Sequence, residues 1–177
     1  IGSGAAGGVK TGNDNICIGN TSGSSYTGAE SGNILIGTST GVVGESNVTR
    51  ISNIRGKTTA VNDAIAVLID STGQLGTVSS SRRFKENIED MGSYSEDLFD
   101  LRPVVFNYKD HSSKDKSVGL IAEEVELVMP DLVIYDEHGL PQTIKYHDLV
   151  PMLLNEIQKM SLVMHDLEMR LEYIESS

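Results

Sequence analysis

VSSSRRFKENI, residues 78–88, sets three serines before a basic cluster at the point where the chain changes character. Residues 1–79 hold 15 of the 18 glycines with 4 Lys+Arg and 5 Asp+Glu, whereas residues 80–177 hold 3 glycines, 10 Lys+Arg and 20 Asp+Glu. Nearly all of the net charge of −11 therefore sits in the second part. A chain of 177 residues fits one ordinary domain or a small domain with an elongated appendage, and this asymmetry favours the second. The junction separates a glycine-rich β stalk fragment, 1–79, from a compact domain, 80–177. So acidic a chain is repelled by nucleic acid and by anionic membranes, so neither is an expected partner, while protein and neutral glycan partners stay open.

The sequence begins at Ile1, has no long apolar run and shows no basic-then-apolar leader, which predicts a soluble piece of something longer. Its single cysteine, Cys17, has no partner for an intrachain disulfide and no companions for a metal site, and is expected to pack as a small apolar residue.

Upstream of the junction runs a loose repeat: GNDNICIG at 12–19, SGNILIG at 31–37 and ESNVTRIS at 45–52. Each copy sets an asparagine (Asn15, Asn33, Asn47) before a short β-branched run, at spacings of 18 and 14 residues, a degenerate motif that predicts short strands between glycine turns. Residues 1–52 contain no Phe, no Trp and one Tyr. At about 25 cal/mol per Å² buried against roughly 1–2 kcal/mol per residue ordered, one copy has too little apolar surface to order itself. Intertwining of several identical chains would supply the core, with disorder as the alternative. In AVNDAIAVLIDSTGQLGT, 60–77, a strand, a DSTG turn and a second short strand are expected.

Downstream, the pattern predicts an α+β unit. SEDLFDL (95–101) opens with Ser95 and acidic residues as a helix start, and Pro103 stops it. VVFNY (104–108) predicts a strand. Ile121, Val125 and Val128 recur at helical spacing before Pro130, and DLVIYDEHGLPQTIKY gives two strands around an Asp-Glu-His-Gly turn. Val150, Leu153, Ile157, Met160, Met164, Leu167, Leu171 and Ile174 keep a 3-4 spacing over four heptads, which predicts a helix over 148–175, roughly 40 Å long, that self-associates as a coiled coil. Both ends thus point to oligomerisation.

Between them, Ser80 and Lys85 lie five residues apart. A lysine amine serves as general base for a serine nucleophile when burial or neighbouring cations lower its pKa, and Arg82 and Arg83 are candidate neighbours. Five residues rotate side chains about 140° apart on a helix and onto opposite faces of a strand, so an intervening turn or pairing across subunits is required. The plain alternative is serines that cap a helix or loop beside solvated basic side chains.

SSRRFKENI, LRPVVFNYK, GLIAEEVE, MPDLV and YHDLVPMLLNEIQKM together resemble, over residues 79–175, the C-terminal intramolecular chaperone domain of phage tail spikes, tail fibres, neck appendages and endosialidases. The resemblance implies a homotrimer that assists folding of a triple-β-helix-like stalk just upstream in the same chain, then releases itself with a serine-lysine dyad as a single-turnover, self-cleaving endopeptidase. It implies a virion-associated stalk, a chaperone domain acting in the infected host cytoplasm, and no cofactor. The family's start motif, similar to Ser-Asp-x-Arg-x-Lys, puts the nucleophile at Ser80, a supporting arginine at Arg83 and the base at Lys85. Ser81 stands where the family has aspartate, and Ser79–Ser80 becomes the junction; the sequence leaves both sides of Ser80 open to the cut, and the bond before it is favoured because a serine cannot readily attack its own carbonyl. A non-cleaving trimerisation cap of a fibre or adhesin is the alternative.

No metal site is expected. Asp136, Glu137 and His138 occupy a polar hairpin turn, and His111, His138, His147 and His165 show no ligand spacing. GSGAAGG (2–8) resembles a phosphate loop but lacks the flanking strand and helix. These residues likewise offer no carboxylate pair suited to glycan cleavage.

Overall fold

In the computed structural model, which describes residues 1–109 and 115–176, the chain divides into two units, Ile1–Ser79 and Ser80–Ser177.

The asparagine repeats of the first unit become three parallel strands, β1 (Ile16–Ile18), β2 (Ile34–Ile36) and β3 (Thr49–Ile51), in that order, with Ile16, Ile34 and Thr49 in register. Asn15 Oδ1 accepts from the backbone N–H of Asn33 (3.1 Å), and Asn33 Oδ1 accepts from the N–H of Val48 (3.1 Å). The third repeat is therefore offset by one residue from its expected alignment. Val48, not Asn47, stands level with Asn33, and Asn47 adopts φ +59°. Gly19 and Gly37 follow β1 and β2. A Cβ on Gly19, at φ +129°, would lie 2.0 Å from the Gly37 carbonyl oxygen, so glycine permits the close stacking of successive rungs.

Within this stack Cys17, Tyr26 and Leu35 are buried, with Ala5, Ala6 and Val9 packed against them. Tyr26 Oη donates to Glu45 Oε1 (2.7 Å), and Glu45 pairs with Arg50. One chain thus builds a small core that the sequence argument assigned to several. The outer column, Ile18, Ile36 and Ile51, stays exposed.

From Asn53 to Asp90 every residue is exposed. The only strands in this stretch are the antiparallel pair β4 (Leu68–Ile69) and β5 (Leu75–Gly76). Their turn forms as expected: Asp70 Oδ1 accepts from the Thr72 N–H (2.9 Å), the Thr72 hydroxyl (2.6 Å) and the Gln74 N–H (3.0 Å).

The second unit is mixed α+β. Its hairpins pair β6 (Val104–Phe106) with β7 (Ser117–Gly119) and β8 (Val133–Tyr135) with β9 (Pro141–Ile144), and its helices are α1 (Ala122–Val128) and α2 (Tyr146–Glu175). Val125, Met129, Leu132, Val133, Ile144 and Met152 form the core. Two expectations need correction. SEDLFDL forms only a 3-10 turn, Glu96–Asp100, and Ser95 is not its side-chain cap: its buried hydroxyl donates to Glu156 Oε1 (2.6 Å) instead. The last helix starts at Tyr146 rather than Asp148, with Tyr146 Oη accepting from the Leu120 N–H (3.1 Å), and it tolerates Pro151 within its first two turns.

Helix α2 has two unlike stretches. Met152 and Glu156 are buried and Leu149 packs against the core, but from Met160 to Ser176 every residue is exposed. The eight residues of the 3-4 seam are all among the exposed hydrophobics. Among the described residues no helix is long and apolar enough to cross a membrane.

Candidate functional site

Ser80 and Lys85 open the second unit. Ser81 is extended (φ −67°, ψ 138°), residues Arg82–Phe84 make a single 3-10 turn, and Lys85 is extended again (φ −125°, ψ 145°). The turn is closed by the Phe84 N–H donating to the Ser81 carbonyl and the Lys85 N–H to the Arg82 carbonyl, both at 3.0 Å. One tight turn between two extended residues brings together side chains that five residues of helix or strand would hold apart. Lys85 Nζ donates to Ser80 Oγ at 3.2 Å. For the amine to act as base, the same two heavy atoms must meet with the proton reversed, a neutral amine accepting from the hydroxyl.

The neighbours are divided. Arg83 places its guanidinium carbon 4.7 Å from the centroid of the Phe84 ring, a cation–π contact. Ser81 occupies the N-cap position of the turn without a side-chain cap bond. Ser79, Ser80, Ser81, Arg83 and Lys85 are all exposed in the single chain.

A second polar cluster escaped sequence reasoning. Ser95 Oγ accepts from Asn155 Nδ2 (2.7 Å) while donating to Glu156, and Lys159 Nζ binds Glu156 Oε1 (2.9 Å) and Glu96 Oε1 (3.1 Å). The Ser95 hydroxyl, and then the Lys159 ammonium, hold the Glu156 carboxyl below its usual range. This cluster ties the base of α2 to the 3-10 turn Glu96–Asp100. Its members lie about sixty residues apart, a separation that leaves no local signature.

Asp136 uses its carboxylate to hold its own turn, accepting from the N–H groups of His138 and Leu140 (both 2.9 Å). Among the described residues no group of three or more His, Cys, Asp or Glu is placed to hold a metal. His111 lies outside the described residues.

A hydroxyl and an amine thus meet at the first residues of a small α+β unit whose last helix outruns its core. The family model described as chaperone of endosialidase, named as a peptidase family, matches residues 80–134, from Ser80 to the middle of β8, so the first part of the second unit is similar to that family. Among curated proteins none matches the chain.

Proposed function

We propose that this chain is a homotrimer whose second unit assists folding of the fibre stalk upstream of it and then severs itself from that stalk before Ser80. The observation that carries the reading is the 3.2 Å contact between Lys85 Nζ and Ser80 Oγ at the first residue of the family match. The neutral Lys85 amine takes the Ser80 hydroxyl proton as Oγ attacks the Ser79 carbonyl carbon. The Ser79–Ser80 C–N bond breaks, and the proton passes to the departing Ser80 amine. Water then hydrolyses the resulting ester, leaving a carboxylate on Ser79 and a free hydroxyl on Ser80. Arg83 is a supporting cation, and Ser81 fills the place of the family's aspartate. On the same reading the stalk stays with a virion fibre, while the freed chaperone remains in the infected host cytoplasm.

Trimerisation is supported from three directions. The outward isoleucines of the stacked rungs, the exposed stretch 53–90 and the α2 seam all present apolar side chains that their own chain leaves uncovered. Ordering 53–90 costs roughly 1–2 kcal/mol per residue with no burial of its own to offset it, so the intertwined part of the stalk falls here and not only in the rungs. Exposed apolar α2, roughly 24 Å of it beyond Met160, is explained by a coiled coil.

A non-cleaving trimerisation cap is favoured by one observation, that Ser81 replaces an acid and leaves the nucleophile without that partner. Intact-mass spectrometry of freshly expressed chain decides between them. Conversion to residues 1–79 and 80–177, abolished by Ser80→Ala and by Lys85→Ala, is expected. A wild-type trimer that stays full-length for days would refute cleavage.

A further inference from the structure

We infer that Arg82 of one copy docks into an open cavity on the second unit of a neighbouring copy, lined by Tyr94, Asp131, Tyr135, Lys145, Asp148 and Met152. This rests on the self-association argued above and names a contact within it. The cavity measures about 580 Å³. Tyr94 Oη donates to Asp131 Oδ2 (3.2 Å), and Lys145 Nζ donates to the Asp131 backbone carbonyl (2.8 Å), which engages the one cation in the wall. The Asp148 carboxylate has no hydrogen bond or ion pair among the described residues. Two phenol rings beside a free carboxylate suit a guanidinium, which stacks on aromatic faces while its fork donates to oxygen.

The occupant follows from charge and exposure. Residues 80–85 carry Arg82, Arg83 and Lys85 and no acid, whereas residues 91–177 carry 17 Asp+Glu against 7 Lys+Arg, so attraction runs between the start of this unit and its body. Arg83 is engaged with Phe84, but the Arg82 guanidinium has no hydrogen bond, ion pair or ring partner among the described residues. Its own chain does not seat it, because residues 53–90 are exposed throughout. The cavity is continuous with the proposed seam: Asp148, Pro151 and Met152 line it, while Val150 and Leu153 begin the 3-4 pattern on the same turns of α2. An arginine held there pins Ser80, two residues before it, and Lys85, three after it, at the boundary between copies, where the amine loses water.

The test measures self-association of the full chain by light scattering across a dilution series. Arg82→Glu and Asp148→Lys should each weaken assembly by roughly threefold per contact, the scale of an exposed ion pair, and the double variant should recover it. In a Cys17→Ala background, Arg82→Cys with Asp148→Cys should give a disulfide between differently tagged copies on a non-reducing gel. Single variants that assemble like wild type, a double variant without recovery, or a disulfide confined to one chain overturns the docking and leaves the trimer reading intact. A wild-type chain that stays monomeric at every concentration defeats the trimer reading and this contact together.

Discussion

Leu167→Asp separates what the single chain needs from what an assembly needs. In the chain Leu167 is 50% exposed, on a part of α2 where every residue from Met160 to Ser176 is exposed. Within a monomer the substitution therefore removes no core contact and costs only the difference in helix propensity, about 0.5 kcal/mol. In a coiled coil the same position faces the axis, and each chain would bury an uncompensated carboxylate, of order 3–5 kcal/mol per chain. At 1.4 kcal/mol per decade that is at least roughly a hundredfold in association per chain, well beyond the propensity effect. The assay pairs light scattering, for mass, with intact-mass spectrometry, for processing. The expected result is a folded monomer that is no longer cut, because on this reading assembly is what takes the exposed Lys85 and Ser80 out of water and fixes them against each other. A Leu167→Asp chain that remains trimeric refutes the seam. A monomer cut at the wild-type rate refutes the dependence of the dyad on assembly.

Two further outcomes test the units separately. Ser95→Ala strips the buried cluster of a group that both donates to Glu156 and accepts from Asn155, and should lower the stability of the second unit by about 1–3 kcal/mol, read as a shift in urea midpoint at unchanged slope. The Glu30 carboxylate is buried and accepts from the N–H groups of Gly44 (3.1 Å), Gly28 (2.9 Å) and Thr27 (3.3 Å), which pull its pKa from 4.5 down to about 2, with Gly44 the largest contributor. Its folded pKa is depressed, so its contribution is fully present above pH 4.5 and is lost as the pH falls towards 2. The urea midpoint of the first unit should therefore fall between pH 5 and pH 3, and by less in Glu30→Gln. Equal falls in the two proteins would show that this carboxylate is not the acid-sensitive group.

Local chemistry made some elements legible and non-local packing hid others. The DSTG and Asp-Glu-His-Gly turns were visible because an aspartate organises its own next few residues, and α2 was visible because its seam repeats through four heptads. The stacking of the first unit was not, because its core draws on one tyrosine and on glycines that let backbones approach, a source of order that a count of large side chains omits. Asn47 misled for a related reason: asparagine recurs in the third repeat, but hydrogen bonding sets the register, and Val48 supplies the N–H that Asn33 needs. Ser95 resembled a cap from its neighbours, while its partner lies far along the chain on α2. At the candidate site, the residue types of Ser80 and Lys85 were readable and their spacing looked unfavourable. The 3-10 turn Arg82–Phe84, too short to leave a periodic signal, removes that objection within one chain.

The exposure of residues 53–90 also bears on the fate of chains that fail to find partners. The stretch contains Arg55, Lys57, Arg82, Arg83 and Lys85, each followed by a residue other than proline, and none of its side chains is shielded by its own chain. A trypsin-like protease needs only such an accessible segment, so a solitary chain is open to cleavage at several places along its middle without first unfolding either flanking core. Covering by neighbours would close all of these places at once. On the trimer reading, the same stretch would make persistence itself conditional on assembly, because only solitary copies would present these cleavable sites.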